Sequence, residues 1–202
     1  MTTVLLVRHG ETTWNRDRRV QGWAPTGLTD RGKQQAKRVA EAIATEYTVD
    51  RCIASDLRRT RETAETITET VSVEDLTFDR AWRERHFGVL QGLDYATIRE
   101  EYPTIAFTGA DQLDGTAAPE AGESLRELRD RVTGQLDALR DHGGTVLVVA
   151  HGGPIRQALG YLQELTPTES AATIEQANCA INELRLTPST MTIVRQNETV
   201  NQ

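Results

Sequence analysis

Apolar and polar positions along the chain follow two periods, and the blocks they form alternate. Val4-Leu5-Leu6-Val7 is an unbroken run of branched side chains, the pattern of a strand buried on both faces. Residues 145–150 repeat that pattern, and residues 51–54 and 76–78 are shorter runs of the same kind. Between them the spacing becomes helical. Ala36, Val39, Ala40, Ile43, Ala44 and Tyr47 fall on one face of a predicted helix, with Thr29 placed as its N-cap. Further helices are predicted from residue 55 to about 70, over 95–102 with Pro103 as the stop, and over 123–140. The last of these carries Leu125, Leu128, Val132, Leu136 and Leu139 on one face, with Gly143-Gly144 ending it. Another helix is predicted from about 154 to 163. Residues 178–187 and 191–196 read as a closing hairpin that turns through Pro188-Ser189-Thr190. Strands alternating with helices predict an α/β fold, a three-layer sandwich with a mostly parallel central sheet and helices on both faces. No repeat or linker divides the chain, so one domain over residues 1–202 is expected.

Two of the predicted strands end alike. Val7 leads into Arg8-His9-Gly10, and Ala150 into His151-Gly152-Gly153. Open α/β sheets bind ligands outside the carboxyl ends of their strands, so both endings deliver imidazoles to the ligand edge. Gly10 is expected to permit a tight turn there. Residues 11–25 form a long polar and aromatic loop holding Trp14, Asn15, Arg18, Arg19, Gln21, Gly22 and Trp23, and loops of that length in small domains are usually functional.

With these motifs the chain resembles the histidine phosphatase superfamily, the phosphoglycerate mutase-like phosphatases. The resemblance spans residues 4–156 and rests on several separated motifs in the right order. It implies that His9, in Arg8-His9-Gly10, is a nucleophile that forms a phosphohistidine. A neutral imidazole nitrogen can attack phosphorus, and the other ring nitrogen is expected to donate to a backbone carbonyl. The stretch Ser55-Asp56-Leu57-Arg58-Arg59-Thr60 resembles the second arginine motif, which singles out Arg59; the residues alone do not separate it from Arg58. Arg8 and Arg59 are then phosphate clamps, since guanidinium forks match phosphate oxygens. The resemblance gives His151 a hydrogen-bonding and cationic role toward the transferring phosphoryl group. Asn15 becomes a neutral donor, and Gln21 and Gly22 border the substrate. Backbone N–H groups of Gly22 or Gly152 are further candidate donors.

Residues 82–88 resemble the motif in which a glutamate precedes Phe-Gly, making Glu84 the general acid and afterwards the base toward water. Burial near Trp82 and Phe87 would raise its pKa and nearby arginines would lower it. Gln91 departs from the pattern, since family members often carry glutamate before this glycine, and it is expected to change a hydrogen bond at the rim. The cofactor-dependent mutases of the family carry a longer, more basic insertion before the second histidine. Here residues 104–122 contain no Lys, Arg or His but hold Asp111, Asp114 and Glu120, which reads as an acidic loop or lid. The expected activity is therefore a metal-independent phosphomonoester hydrolase with no cofactor, acting on a small phosphorylated metabolite. Mutase-type phosphoryl transfer and a catalytically lapsed phosphoryl-ligand binding protein are the alternatives.

Composition narrows the setting. A net charge of -7 argues against nucleic acid or anionic membrane as a partner. Lys33 and Lys37 are the only lysines. An acidic, lysine-poor, threonine-rich surface fits a high-salt cytoplasm, although base-composition bias gives the same arginine preference. Cys52 and Cys179 lie beside apolar residues and read as small buried hydrophobes. Without a signal-like or membrane-length apolar segment, a reducing cytoplasm is expected. His86 reads as a turn residue and His142 as a helix-end residue, and the four histidines lack metal-ligand spacing. Oligomeric state, a homodimer included, is left open.

Overall fold

The computed structural model describes residues 1–73, 75–102 and 115–200. In chain order these form β1 (Thr2–Arg8), the one-turn helix α1 (Thr13–Arg16), α2 (Asp30–Glu46), β2 (Arg51–Ala54) and α3 (Arg58–Val71). Then come β3 (Leu76–Phe78), α4 (Tyr95–Glu101), α5 (Leu125–Leu139), β4 (Gly144–Ala150), α6 (Gly152–Leu162), α7 (Pro167–Thr173), β5 (Ile181–Leu186) and β6 (Met191–Glu198). Two short 3-10 turns, Arg80–Trp82 and Gly88–Leu90, lie between β3 and α4. The strands make one six-stranded sheet in the order β3-β2-β4-β1-β5-β6. β3, β2, β4 and β1 are mutually parallel, β5 runs against β1, and β6 runs against β5.

Both faces of the sheet are covered, which is why its central strands are apolar throughout. Leu5, Val7, Leu147 and Val149 face Ala36, Val39, Ala40 and Ile43 of α2 and Ala64 and Ile67 of α3. Val4, Leu6, Val146 and Val148 face Leu128, Val132 and Leu136 of α5 and Ile155, Ala158 and Leu159 of α6. Side chains alternate across a strand, so one four-residue run serves two cores. Thr29 caps α2 by accepting from Gly32 N, 3.0 Å. Ser124 and Glu127 form a capping box on α5.

The structure differs from the sequence reading in several places. Ala44 is exposed, because the buried stripe of α2 is narrower than the apolar spacing suggested. The loop after β1 contains α1, closed by a capping box between Thr12 and Asn15. α6 begins at Gly152 with His151 as N-cap, ahead of Pro154. α7 lies between the predicted helix ending at about 163 and the hairpin beginning at 178, where no element was predicted. Gly10 has no positive φ; what it permits is close approach, since a Cβ there would lie 2.4 Å from Gly32 O. Of the expected lid, residues 104–114, with Asp111 and Asp114, lie outside the described residues. Among the described residues no helix is long and apolar enough to cross a membrane.

Candidate active site

Register sets the site. Arg8 of β1 pairs level with Ala150 of β4, so the next residues, His9 and His151, leave the sheet side by side. Their ring centroids are 5.2 Å apart. Both rings are buried. His9 Nδ1 lies 2.7 Å from Gly10 O. A carbonyl only accepts, so Nδ1 carries the hydrogen and a neutral ring leaves Nε2 bare. Arg59 Nε lies between the rings, 3.3 Å from His9 Nε2 and 3.2 Å from His151 Nδ1. A guanidinium only donates, so both nitrogens accept. His151 then keeps its hydrogen on Nε2, 2.8 Å from Ser55 Oγ. Burial first, and the neighbouring Arg59 next, hold both imidazoles well below the ordinary value. Desolvation first, and the guanidinium next, thus oppose the cationic form expected of His151.

Arg59 is fully buried, and burial pushes its pKa down to about 10. Its Nη2 donates to Gly22 O at 2.7 Å and its Nη1 to Ala24 O at 3.1 Å. The loop after α1 thus takes part of the fork that the sequence reading gave to phosphate. Arg8 Nη1 donates to Gln176 O at 2.5 Å, while its buried Nε has no partner among the described residues. Asn15 Oδ1 accepts from Thr12 N, 3.1 Å, and from Asn178 Nδ2, 3.4 Å, leaving the Nδ2 amide for the cavity that Asn15 lines. Gln21 Oε1 accepts from Thr12 Oγ1 and Thr26 Oγ1, which pins the loop. Glu84 Oε1 accepts from Gly153 N at 3.1 Å and from Arg85 N at 2.9 Å, so the carboxylate is seated on the first turn of α6.

These residues surround a cavity of about 590 Å³. Arg8, His9, Asn15, Gln21, Gly22, Arg59, Glu84 and Gly152 line it, and His151 sits behind them. Arg18, Arg19, Arg85, Arg99 and Arg156 add positive charge to the wall, while Val20, Phe87, Ile98, Leu125 and Leu128 make it partly apolar. The described part of the cavity is therefore cationic, its arginines coming from β1, α3, the flank of α1, α4, α6 and residue 85, while residues 104–114 of the expected acidic lid lie outside the described residues. Tyr95, Arg99 and Arg156 were missed because they sit on helices, where sequence shows only a solvated face. Ser55, Gln176 and Asn178 were missed as partners because in sequence they are ordinary turn residues. The spacing of Ser55 from Arg59 was the one signal available for the first of them. Among the described residues no group of three or more His, Cys, Asp or Glu side chains is placed to hold a metal ion. Cys52 and Cys179 are free and buried, which pushes each thiol up to about 12.

Sheet order, helices on both faces and a cavity at the carboxyl edge are those of phosphoglycerate mutase-like α/β proteins. A phosphoserine phosphatase from Entamoeba histolytica, solved in complex with 3-phosphoglyceric acid, superposes with a TM-score of 0.86 at 26% identity, covering 98% of each chain. The family model for the histidine phosphatase superfamily (branch 1) matches residues 4–199, and the chain belongs to that superfamily. It is 36% identical over 185 residues to phosphoglycerate mutase-like protein 4 of Arabidopsis thaliana, covering 91% of this chain and 79% of that one. It is 38% identical over 184 residues to a probable phosphoglycerate mutase, GpmB, of Shigella boydii, covering 90% of this chain and 84% of that one.

Proposed function

We propose that this enzyme is a phosphomonoester hydrolase that passes the phosphoryl group through His9. One observation carries the reading. His9 Nδ1–H is fixed on Gly10 O at 2.7 Å, so the bare Nε2 stands in the wall of a cation-lined cavity. Attack of the Nε2 lone pair forms an N–P bond as the P–O bond to the leaving group breaks, and the departing alkoxide takes a proton from Glu84. Water then gives a proton to Glu84 and attacks the phosphohistidine, releasing phosphate and restoring the neutral ring. Arg8 and Arg59 offset charge on the phosphoryl oxygens, as phosphoryl transfer requires. The Arg59 Nε–H, shared between two rings at 3.2 and 3.3 Å, turns to an anion oxygen and frees the nucleophile. His151 stays neutral until the phosphate arrives, and Asn15 Nδ2 and Gly152 N complete the donor set. The chemistry uses fixed guanidiniums in place of a metal.

The substrate is a small phosphorylated metabolite, in keeping with the acid bound to the solved phosphatase. A mutase is the second reading, favoured by the names of the two relatives and by the arginines beyond the reaction centre, which suit a second anionic group. The test is release of inorganic phosphate from p-nitrophenyl phosphate in the presence of a chelator, with acid-labile phosphohistidine trapped on the wild type and absent from His9→Ala. Isomerisation of a phosphoglycerate that needs a bisphosphate primer, without net phosphate release, would replace the hydrolase by the mutase.

A further inference from the structure

One peptide group joins the cavity rim to the reaction centre. The carbonyl of Gly22 accepts from Arg59 Nη2 at 2.7 Å, and the N–H of the same peptide, on Trp23, donates to Gln91 Oε1 at 2.5 Å. Arg59 and Gln91 thus grip opposite ends of a single amide, and bonds in such a chain polarise one another. Gly22 has a φ of +51, and a Cβ on it would lie 2.3 Å from Gln91 Oε1, so glycine lets the side-chain amide pass beneath the turn. A peptide that follows a left-handed glycine is free to rotate, because glycine adopts the alternatives without a Cβ clash. Rotation would withdraw the carbonyl from Arg59 and present an N–H to a guanidinium that has only donors. The Trp23 side chain is held separately: its indole Nε1 donates to Glu84 O at 2.8 Å, Arg83 stacks 4.4 Å from a ring centroid, and His86 lies edge-on at 4.5 Å. Only the main chain of this turn depends on Gln91.

We propose that Gln91 is a positioning residue. By accepting the Trp23 N–H it holds the Gly22 carbonyl on Arg59, and so aims Arg59 Nε at His9 and His151. This rests on the reading of His9 and Arg59 as the reaction centre. The geometry needs an acceptor oxygen at the end of a side chain of this length, and nothing else of Gln91.

Three proteins test it: wild type, Gln91→Glu and Gln91→Met, with Gln91→Ala added in case the thioether packs badly. Turnover of p-nitrophenyl phosphate is measured beside the Arg59 Nε–H resonance in arginine-labelled protein, and unfolding midpoints establish that each variant folds. Gln91→Met is expected to lose about tenfold to a hundredfold in kcat, the cost of misaiming a group by a fraction of an ångström to an ångström. Its Arg59 resonance is expected to shift and exchange faster with solvent. Gln91→Glu should keep kcat within about threefold and leave that resonance sharp, because the acceptor persists. Wild-type turnover and an unmoved resonance in Gln91→Met would overturn the proposal, and so would equal losses in the Glu and Met variants. A wild type without phosphatase activity would defeat the hydrolase reading instead, and the resonance would still report whether Gln91 holds Arg59.

Discussion

Ser55 Oγ lies 2.8 Å from His151 Nε2, and its hydroxyl is the acceptor for the hydrogen that this nitrogen carries. Arg59 Nε occupies Nδ1 from the other side at 3.2 Å, so Nε2 must donate. Ser55→Ala would leave this N–H buried without a partner, since both residues are fully buried. The expected cost is about 1–3 kcal/mol of stability. The other tautomer would place Nδ1–H against the Arg59 Nε–H, so turnover should fall as well. Urea unfolding and kcat for the variant check both; wild-type values for both would mean that His151 does not depend on Ser55.

Stability should respond to pH through the two rings. His9 and His151 are held well below the ordinary imidazole value, by burial first and Arg59 next. In the unfolded chain each titrates near about 6.5. Below that pH the unfolded state takes up protons that the folded state refuses. Stability is therefore full above about pH 7 and declines as pH falls, by about 1.4 kcal/mol per unit for each ring, until the folded values are reached. His9→Asn should halve this slope between about pH 6 and 5. Asp56, held below the usual carboxylate range by its hydrogen bonds to Arg83, adds a further decline only at lower pH. Denaturation midpoints across the series give the slope, and a flat wild-type profile would mean that both rings ionise inside the fold. The same depression keeps Nε2 of His9 bare in acid, so the acid limb of kcat/KM should lie below the imidazole range.

The second glycine of His151-Gly152-Gly153 is tied to the acid. A Cβ on Gly153 would lie 2.0 Å from Glu84 Oε1. Gly153→Ala should therefore displace the carboxylate while leaving His9 in place, and it should mimic Glu84→Gln. Both variants are expected to slow aryl phosphates with poor leaving groups far more than those with good ones, because only poor leaving groups need the proton. A series of substituted phenyl phosphates gives the comparison. Equal losses along it would remove Glu84 from the acid role.

What the sequence revealed and what it hid divide on physical lines. The runs before His9 and His151 were legible because burial on two faces leaves an unmistakable apolar stretch, and the motifs on their ends are local. The order of the strands and the level register of Arg8 with Ala150 come from pairing between distant segments, which no window contains. The family resemblance singled out Arg59, but not the Gly22 and Ala24 carbonyls that occupy its fork, since main-chain acceptors leave no mark in a sequence. The downward shift of His151 depends on how deeply it is buried beside a cation, which is a tertiary property. α7 was overlooked although Thr166, Pro167 and Glu169 spell a capping box, a signal outweighed by the polar residues around it.

Two glycines should respond in opposite ways to the same added methyl group. A Cβ on Gly10 would meet Gly32 O at 2.4 Å, and both partners are main chain, so neither can move aside cheaply. Gly10→Ala should cost roughly 1–3 kcal/mol or more, as overpacking does. It should also cut turnover, because Gly10 O anchors His9 Nδ1. Gly134 lies exposed within α5, and a Cβ there would meet nothing within 4 Å. Gly134→Ala should raise stability by about 0.5–1 kcal/mol through helix propensity and leave kcat unchanged. Chemical denaturation of the two variants beside the wild type checks the pair. A Gly10→Ala protein as stable as the wild type would mean that the β1 end and the first turn of α2 can separate without cost.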